Sequence, residues 1–571
     1  MTEIKGTPAT EIPVHQFRLL YQWPLILSPD GGTPAIERER KSALQALRKD
    51  ANWSIADPID IVEADDTGYD GGPYGEFVYF HDFAQDFLYP KKGDERASFI
   101  LFERRDIEKL SATFDTGPQS FVLDFAVERL TLHMFDLGIA IVTLELTHQG
   151  PTITLDKAQT AIDYLRRTYV PFWNSGNAQR CPQSVRLNGE ETMASPPTQA
   201  EAAACLKHLG SDRNPKVFKH WSDMIEPLKL IGDSGGQWRD PSDERMPVNS
   251  YISVTTPTHV DQHLDDANSV NRIRDSDWLR LWDAEQAGQS YPYNSKFLEQ
   301  YREGAFYDRF APDPKEGSSA TRHMFGEHHY CVVGAGWFYD NILLHHWRRH
   351  YAQLSLVARF QVTMLLALSS RITRALPQRG TREFAEEVLR IQQDYLTYRH
   401  RYHFTGVSSQ IQPMEMYARF MQTLGIKALK DDVHDELQTA VESIHTTKQT
   451  ELATSANKLG ILAGVGVLGG LALGGAGSNL FVGLGDAPQM FARLHLGEGA
   501  QALFLLGFAL AFLIAGYAIL KAVNRFTEGA TLFAGAFFAI VLMVVSIVWH
   551  PVPASPAPAS LSPNALAEPG Q

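Results

Sequence analysis

One change of character in the C-terminal third constrains this chain more than anything else in it. From Gln412 to Lys458 the sequence is polar but periodic: Met416, Phe420, Leu424, Leu429, Val433, Leu437, Val441 and Ile444 recur at three- to five-residue steps. That spacing lays one apolar stripe along a helix. No proline follows Pro413 until Pro488, so no helix-breaking residue interrupts the run. After Lys458 the charge disappears, and residues 459–485 carry none. About 20 apolar residues suffice to cross a bilayer. The pattern predicts a stalk helix over 406–458 that continues into a first membrane span over 459–479. A helix over 414–478 would be roughly 100 Å long at about 1.5 Å per residue. Two helices with a bend near Ala453–Asn457 fit the same residues.

The charge-free stretch is rich in glycine at three- and four-residue spacing: Gly460, Gly464, Gly466, Gly469, Gly470, Gly474, Gly475 and Gly477. Small residues at that spacing let helix backbones approach closely, so this segment is expected to face other protein or a water path. An ordinary anchor with a small-residue dimer face is the alternative. Two more apolar segments follow, Gln501–Leu520 and Ala530–Trp549. The loop between them holds Lys521 and Arg525, whereas the Pro/Ala-rich tail over 550–571 has no Lys or Arg. The positive-inside rule therefore predicts three spans, with the 521–529 loop in the cytoplasm and the tail outside and disordered.

The 571 residues exceed a single domain by the usual prior, and the part before the membrane region reads as an ordinary globular protein. Net charge is −14, and residues 459–571 account for only one unit of it, with three basic residues against four acidic. So acidic a domain is a poor phosphate binder, which excludes nucleic acid as a partner. Cys181, Cys205 and Cys331 are few and far apart, as in reduced cytoplasmic thiols. The first residues lack the apolar run of a signal peptide, so a cytoplasmic N-terminal domain is expected.

Along residues 1–405 the expected class is α+β, a β-meander with helices. Residues 15–28 read as a first strand and 33–49 as a charged helix. The meander covers 75–148, with strands at Phe77–Phe83, Ser98–Glu103, Phe121–Leu130 and Leu132–Leu146 and a turn near Asp136-Leu-Gly. A helix over 153–168 opens at Thr154 or Asp156. Strand 246–256, helix 271–288, a long buried helix over 337–376 and a charged helix over 381–403 complete the domain. The acidic loop over 57–74 lacks calcium-loop spacing and is expected to be solvated. Gly232-Asp-Ser-Gly-Gly resembles the nucleophile segment of trypsin-like proteases, but the chain lacks the Ala-Ala-His-Cys that would supply the base, so it reads as a loop. His323, His328, His329 and Cys331 are zinc ligands by type without a second pair at ligand spacing, and are expected on the surface of a strand.

This layout resembles the CorA family of divalent-cation channels: a cytoplasmic α/β domain, then a long helix that becomes the first span, then a short outer loop and a second span. Residue-level likeness to a divergent branch lies in Leu130-Thr-Leu-His-Met-Phe-Asp-Leu-Gly-Ile-Ala-Ile-Val-Thr-Leu-Glu-Leu, Leu165-Arg-Arg-Thr-Tyr-Val-Pro-Phe and Arg401-Tyr-His-Phe-Thr-Gly-Val-Ser-Ser-Gln. The family's Gly-Met-Asn at the end of the first span corresponds to Gly477-Ser478-Asn479, with the middle residue changed, and the third span and tail are additions. The resemblance implies a homo-oligomer, a pentamer in the family, in a bacterial inner membrane, conducting Mg²⁺ or another divalent cation. Because Mg²⁺ sheds water reluctantly, the mouth would hold the hydrated ion. Asn479 would supply an amide ring and Gly477 a free carbonyl; Asn479 as a helix C-cap is the alternative. Thr447, Thr450 and Thr454 are candidate pore-lining hydroxyls at the membrane end of the stalk. Asp431 and Asp435, with Asp432, Glu436 and Glu442, are candidate regulatory metal ligands or a solvated helix face.

Two function classes follow: a divalent-cation channel gated by its cytoplasmic domain, or a CorA-derived membrane effector whose domain senses a small molecule or a partner. A membrane-tethered enzyme is not expected, because the sequence shows no nucleophile–base pair, phosphate-cradling glycine loop or metal-spaced cluster.

Overall fold

A computed structural model of the chain describes residues 7–63, 75–94, 97–170, 172–193, 217–231, 235–254, 270, 272–288, 295–310 and 321–477, with three single positions beyond them. The chain divides into two compact units, Met1–Glu442 and Ser443–Gln571.

The first unit is built on a mixed sheet of 13 strands. In chain order these are β1 (Gln16–Leu27), β2 (Trp53–Ile55), β3 (Phe99–Arg104), β4 (Lys109–Asp115), β5 (Ser120–Phe135), β6 (Ile139–Gln149), β7 (Ser184–Leu187), β8 (Glu190–Met193), β9 (Trp238–Arg239), β10 (Val248–Ser253), β11 (Phe306–Phe310), β12 (Thr321–Phe325) and β13 (His329–Gly334). The spatial order is β8-β7-β4-β5-β6-β1-β10-β13-β12-β11, with β3 and then β2 beside the far half of β5, and β9 on the end of β1. All pairs are antiparallel except β10 with β13, which run parallel with Ser250 opposite Cys331. The β5–β6 hairpin turns through Asp136–Gly138, as expected from the sequence. Gly138 has φ +75°, and a Cβ there would come within 2.5 Å of Ile36 Cγ2, so only glycine fits.

Alternation along the strands gives the sheet two different faces. On one, Leu19, Trp23, Leu132, Leu144, Val248 and Val333 join a single apolar core with helices α1 (Gly32–Lys49), α2 (Leu155–Leu165) and α3 (Asp275–Asp283). Thr154 precedes α2 in extended conformation, the N-cap position the sequence suggested. On the other, β1 and β6 present Arg18, Gln22, Thr143 and Glu145 to a helical run over Phe338–Gln378, whose main part is α4 (Ala352–Ala375). Two π-helical turns, Phe338–Leu343 and Trp347–Tyr351, interrupt its start. Among the described residues this run is the one helix long and apolar enough to cross a membrane, and 83% of its apolar window is buried inside the unit. It is the core helix that the sequence predicted.

Helix α5 (Arg382–Thr397) starts at Thr381, whose hydroxyl accepts from the Phe384 amide. Helix α6 (Ile411–Thr423) and helix α7 (Ile426–Gly477) follow. The expected unbroken stalk is therefore two helices, and the break falls at Gly425 rather than near Ala453–Asn457. Gly425 has φ +61°, a left-handed conformation that ends α6. From Ile426 the helix continues without a break through the polar-to-apolar boundary at Lys458.

Two further expectations are corrected. Phe77–Phe83 is a 3₁₀ turn (Glu76–Tyr79) leading into a short helix (Asp82–Leu88), and the strand at Lys109–Asp115 is additional. His323 and His329 are not on the surface: both are buried, in the facing strands β12 and β13.

Candidate functional site

Helix α7 carries most of the residues singled out by sequence. Its apolar stripe is consumed first within its own unit: Val433, Leu437 and Ala440 are buried, His434 stacks on Tyr395 of α5 at 5.8 Å, and Ser369 of α4 donates to Glu436 at 2.9 Å. The amphipathic half of the helix is thus spent on the domain, and a run in which every residue is exposed starts only at Lys448. Asp431 and Asp435 are exposed, and Asp431 lies 3.5 Å from Lys430. Among the described residues no group of three or more His, Cys, Asp or Glu side chains is placed to hold a metal ion.

From Lys448 to Ile461 every residue is exposed, including Leu452 (69%), Leu459 (68%) and Ile461 (48%). Thr447, Thr450 and Thr454 fall at three- and four-residue steps on one face, and each donates its hydroxyl to the carbonyl four residues earlier, at 2.9, 2.9 and 2.7 Å. A hydroxyl held this way keeps its lone pairs free for a water or a hydrated ion. Gly460, Gly464 and Gly466 have open space where a Cβ would stand. Gly477 is the last residue of α7, while Ser478 and Asn479 lie outside the described residues, as do nearly all of the second and third expected spans and the tail.

The layer between the sheet and α4 is polar to a degree that sequence did not reveal. Glu145, fully buried, meets three guanidiniums: Arg348 at 2.5 Å, Arg129 at 2.9 Å and Arg18 at 3.4 Å. Burial alone would raise its pKa, but Arg348, Arg129 and Arg18 together more than offset that and hold it at about 2. Next to it, Gln22 donates to the Ala352 carbonyl and accepts from Ser355. His133, Thr143 and Gln353, whose Nδ1, Oγ1 and Oε1 have no hydrogen-bond partner among the described residues, line a cavity of about 20 Å³ there. That is room for one or two waters and for no organic ligand. The network is a structural clamp joining β1, β5 and β6 to the long helix.

Sequence reasoning also missed a serine–histidine pair. The parallel register of β10 and β13 brings Ser250 Oγ to 2.7 Å from His329 Nε2, with Cys331 alongside. All three are buried, burial pushes Cys331 up to about 12 and His329 down to about 3, and among the described residues no carboxylate pairs with the imidazole. A nucleophile that no substrate can reach has no chemistry to do, so the pair is a core hydrogen bond.

A further concavity, of about 180 Å³, lies in the first unit between the chain after α2 and strand β9. Gly235 and Gly236, the end of the protease-like string, lie between its lining residues Ile231 and Trp238 in the chain. A Cβ on Gly236 would stand 1.8 Å from the Leu230 carbonyl, so glycine alone lets the chain fold back, where Ile231 donates to the Trp238 carbonyl at 2.8 Å. That close approach accounts for Gly236, while residues 232–234 of the string lie outside the described residues. Asp240 keeps some accessible surface toward the concavity while lying deep among protein atoms, and burial raises its pKa to about 6. It accepts from Trp23 Nε1 and from the Ser242 amide, both at 2.8 Å. Arg239 donates to Ser370 of α4 at 3.2 Å, and among the described residues neither its Nε nor Thr168 Oγ1 has a hydrogen-bond partner.

No protein-family model matches the chain, and a comparison with curated proteins gives no significant match.

Proposed function

We propose that this chain is a membrane protein in which α7 carries an N-terminal α+β domain into a bilayer and, in a homo-oligomer, lines a path for a divalent cation such as Mg²⁺. The observation that carries this reading is the continuity of α7 across the boundary at Lys458. A helix that exposes Leu452, Leu459 and Ile461 and then runs to Gly477 without a charge is unsuited to water and suited to lipid or to other copies of itself. The threonine face supplies hydroxyls where the polar part meets the apolar part. Beyond it, Gly477-Ser478-Asn479 is the proposed mouth, with Asn479 from each chain presenting an amide to the ion's water shell. Three spans in a bacterial inner membrane, with the domain in the cytoplasm and the tail outside, complete the arrangement. The number of copies, five by resemblance, belongs to the same proposal.

The test is Mg²⁺ uptake into liposomes holding wild type, Asn479→Ala or Ser478→Met at matched density. Uptake by wild type and its loss in Asn479→Ala, with assembly intact, is the expected result. Undiminished uptake by Asn479→Ala rules out the mouth, and no uptake by any of the three rules out the channel.

A second reading, a membrane effector that answers a small molecule, is favoured by one observation: the polar concavity beside Arg239 and Asp240, which a cation channel does not require.

A further inference from the structure

A long acidic stretch of the first unit carries apolar side chains on its outside. From Asp50 to Pro90 the sequence holds ten acidic residues and no lysine or arginine. Within it, the 3₁₀ turn Glu76–Tyr79 and the short helix Asp82–Leu88 meet the needs of the core with Phe80, Phe87 and Leu88, all buried. Val78, Tyr79 and Phe83 are left outside, Val78 59% and Phe83 49% exposed.

A further exposed side chain reaches them from far along the chain. Phe80 and Ser408 form an antiparallel bridge, the His81 amide donates to the Val407 carbonyl at 2.9 Å, and the Ser408 hydroxyl donates to the Tyr79 carbonyl at 2.7 Å. That register sets Ile411, the first residue of α6, across from the turn that carries Val78. Ile411 is also 59% exposed, and among the described residues of the first unit it and Val78 are the most exposed large hydrophobic side chains. The rings beside them are held by the domain: Phe83 stacks on Phe404 at 5.3 Å and Tyr79 on His350 at 5.8 Å.

Clustered apolar surface with a polar rim marks a site of association, and the charge of the rim says with what. Asp82 and Asp86 are exposed on the short helix. The facing chain over 401–411 adds one arginine, Arg401, which lies over its neighbour Tyr402 at 5.2 Å. An acidic rim repels nucleic acid and anionic lipid and attracts ammonium and guanidinium groups. We propose that Val78, Tyr79, Phe83 and Ile411 form a docking surface for a basic, amphipathic peptide segment of a partner protein. Large apolar side chains of the partner cover these four residues, and its flanking lysines or arginines meet Asp82 and Asp86. The remaining charge of the acidic stretch speeds the encounter. The surface involves no residue of α7, so docking does not depend on whether the chain conducts ions.

The experiment measures fluorescence anisotropy of two labelled peptides with full-length protein in nanodiscs of zwitterionic lipid, empty nanodiscs serving as the blank. Both peptides carry leucine at helical spacing; every other position is lysine in one and glutamate in the other. The lysine peptide should bind, and the glutamate peptide should bind about tenfold more weakly or worse. Val78→Ser combined with Ile411→Ser should weaken the lysine peptide about tenfold or more, the loss expected when two large aliphatic side chains are no longer covered. Asp82→Asn combined with Asp86→Asn should slow association and flatten its dependence on salt between about 0.1 and about 1 M. Val122→Ser combined with Leu389→Ser, exposed apolar residues elsewhere in the unit, should change nothing. All six substituted residues are exposed, so urea midpoints should equal that of wild type and show that any lost binding is not misfolding. No binding of the lysine peptide, or equal binding of both peptides, overturns the basic partner. Unchanged binding by the Val78–Ile411 variant, or an equal loss in the Val122–Leu389 variant, overturns the location.

Discussion

Replacing Glu145 by Gln leaves the shape of the sheet–helix clamp almost unchanged and removes the one charge shared by the guanidiniums of the buried Arg129 and Arg348 and the partly exposed Arg18. In the folded protein the carboxyl is held at about 2, against an ordinary value of 4.5, chiefly by Arg348, Arg129 and Arg18 acting against burial. At about 1.4 kcal/mol per tenfold change in proton affinity, that difference corresponds to about 3 kcal/mol in favour of the ionised, folded state. Breaking a buried ion pair by removing one partner costs about 3–5 kcal/mol, so two independent routes give the same magnitude. Glu128, the nearest other acid, sits 3.6 Å from both Arg18 and Arg348 and is partly exposed, so it compensates little. Glu145→Gln should therefore lower unfolding free energy by about 3 kcal/mol at neutral pH. The pH dependence follows from the sign of the shift. A depressed carboxyl stabilises the fold fully above its unfolded value and loses that contribution as pH falls from about 4.5 to about 2. Urea titrations followed by tryptophan fluorescence are suited to the measurement, because Trp23, Trp221 and Trp347 are buried in this unit. Wild type should lose stability over that acid window and converge on the variant. A loss below about 1 kcal/mol at neutral pH, typical of a surface pair, would refute the clamp.

Other outcomes follow from the same geometry. Ser250→Ala should cost about 1–2 kcal/mol of stability, measured by the same titration, and leave any ligand binding or ion flux unchanged, since the Ser250–His329 bond is structural. Cysteines at 447 and 454 should cross-link between chains in the membrane, as a bundled stalk requires, and a strictly monomeric product would contradict it. Tag-accessibility mapping should place the N-terminus inside and residue 571 outside; both ends on one side would contradict three spans.

Much of the domain was legible because its elements are long and strongly patterned. The apolar run over 16–27, the Asp136-Leu-Gly turn and the apolar helix after residue 337 each carry a local signal that tertiary packing then follows. Phe77–Phe83 misled because aromatic residues there pack on other aromatic rings rather than alternate across a sheet: Phe80 lies against His350, and Phe83 stacks on Phe404. The buried histidines could not be read at all. His323 Nδ1 bonds to Tyr330 at 2.8 Å and His329 Nε2 to Ser250, which is 79 residues away in sequence and reaches it only through the parallel β10–β13 pairing. Likewise Glu145, Arg129 and Arg348 look like ordinary surface charges until the sheet places them under one helix. The concavity draws on Thr168, Leu230 and Arg239, from segments whose loop-rich composition carries no periodic signal. On α7, sequence showed the helix and its change of composition, but not that the first turns would be spent on the domain.

The central claim is that the charge-free half of α7 lies in the bilayer, and cysteine scanning from Thr446 to Ala476 in full-length protein in nanodiscs tests it most directly. With a membrane-impermeant maleimide, positions before Lys458 should label readily on every exposed face. Positions beyond about 461 should become protected on all but one face, the face toward a water path. Labelling as fast beyond residue 461 as before residue 458, all round the helix, would contradict a membrane location and the account built on it.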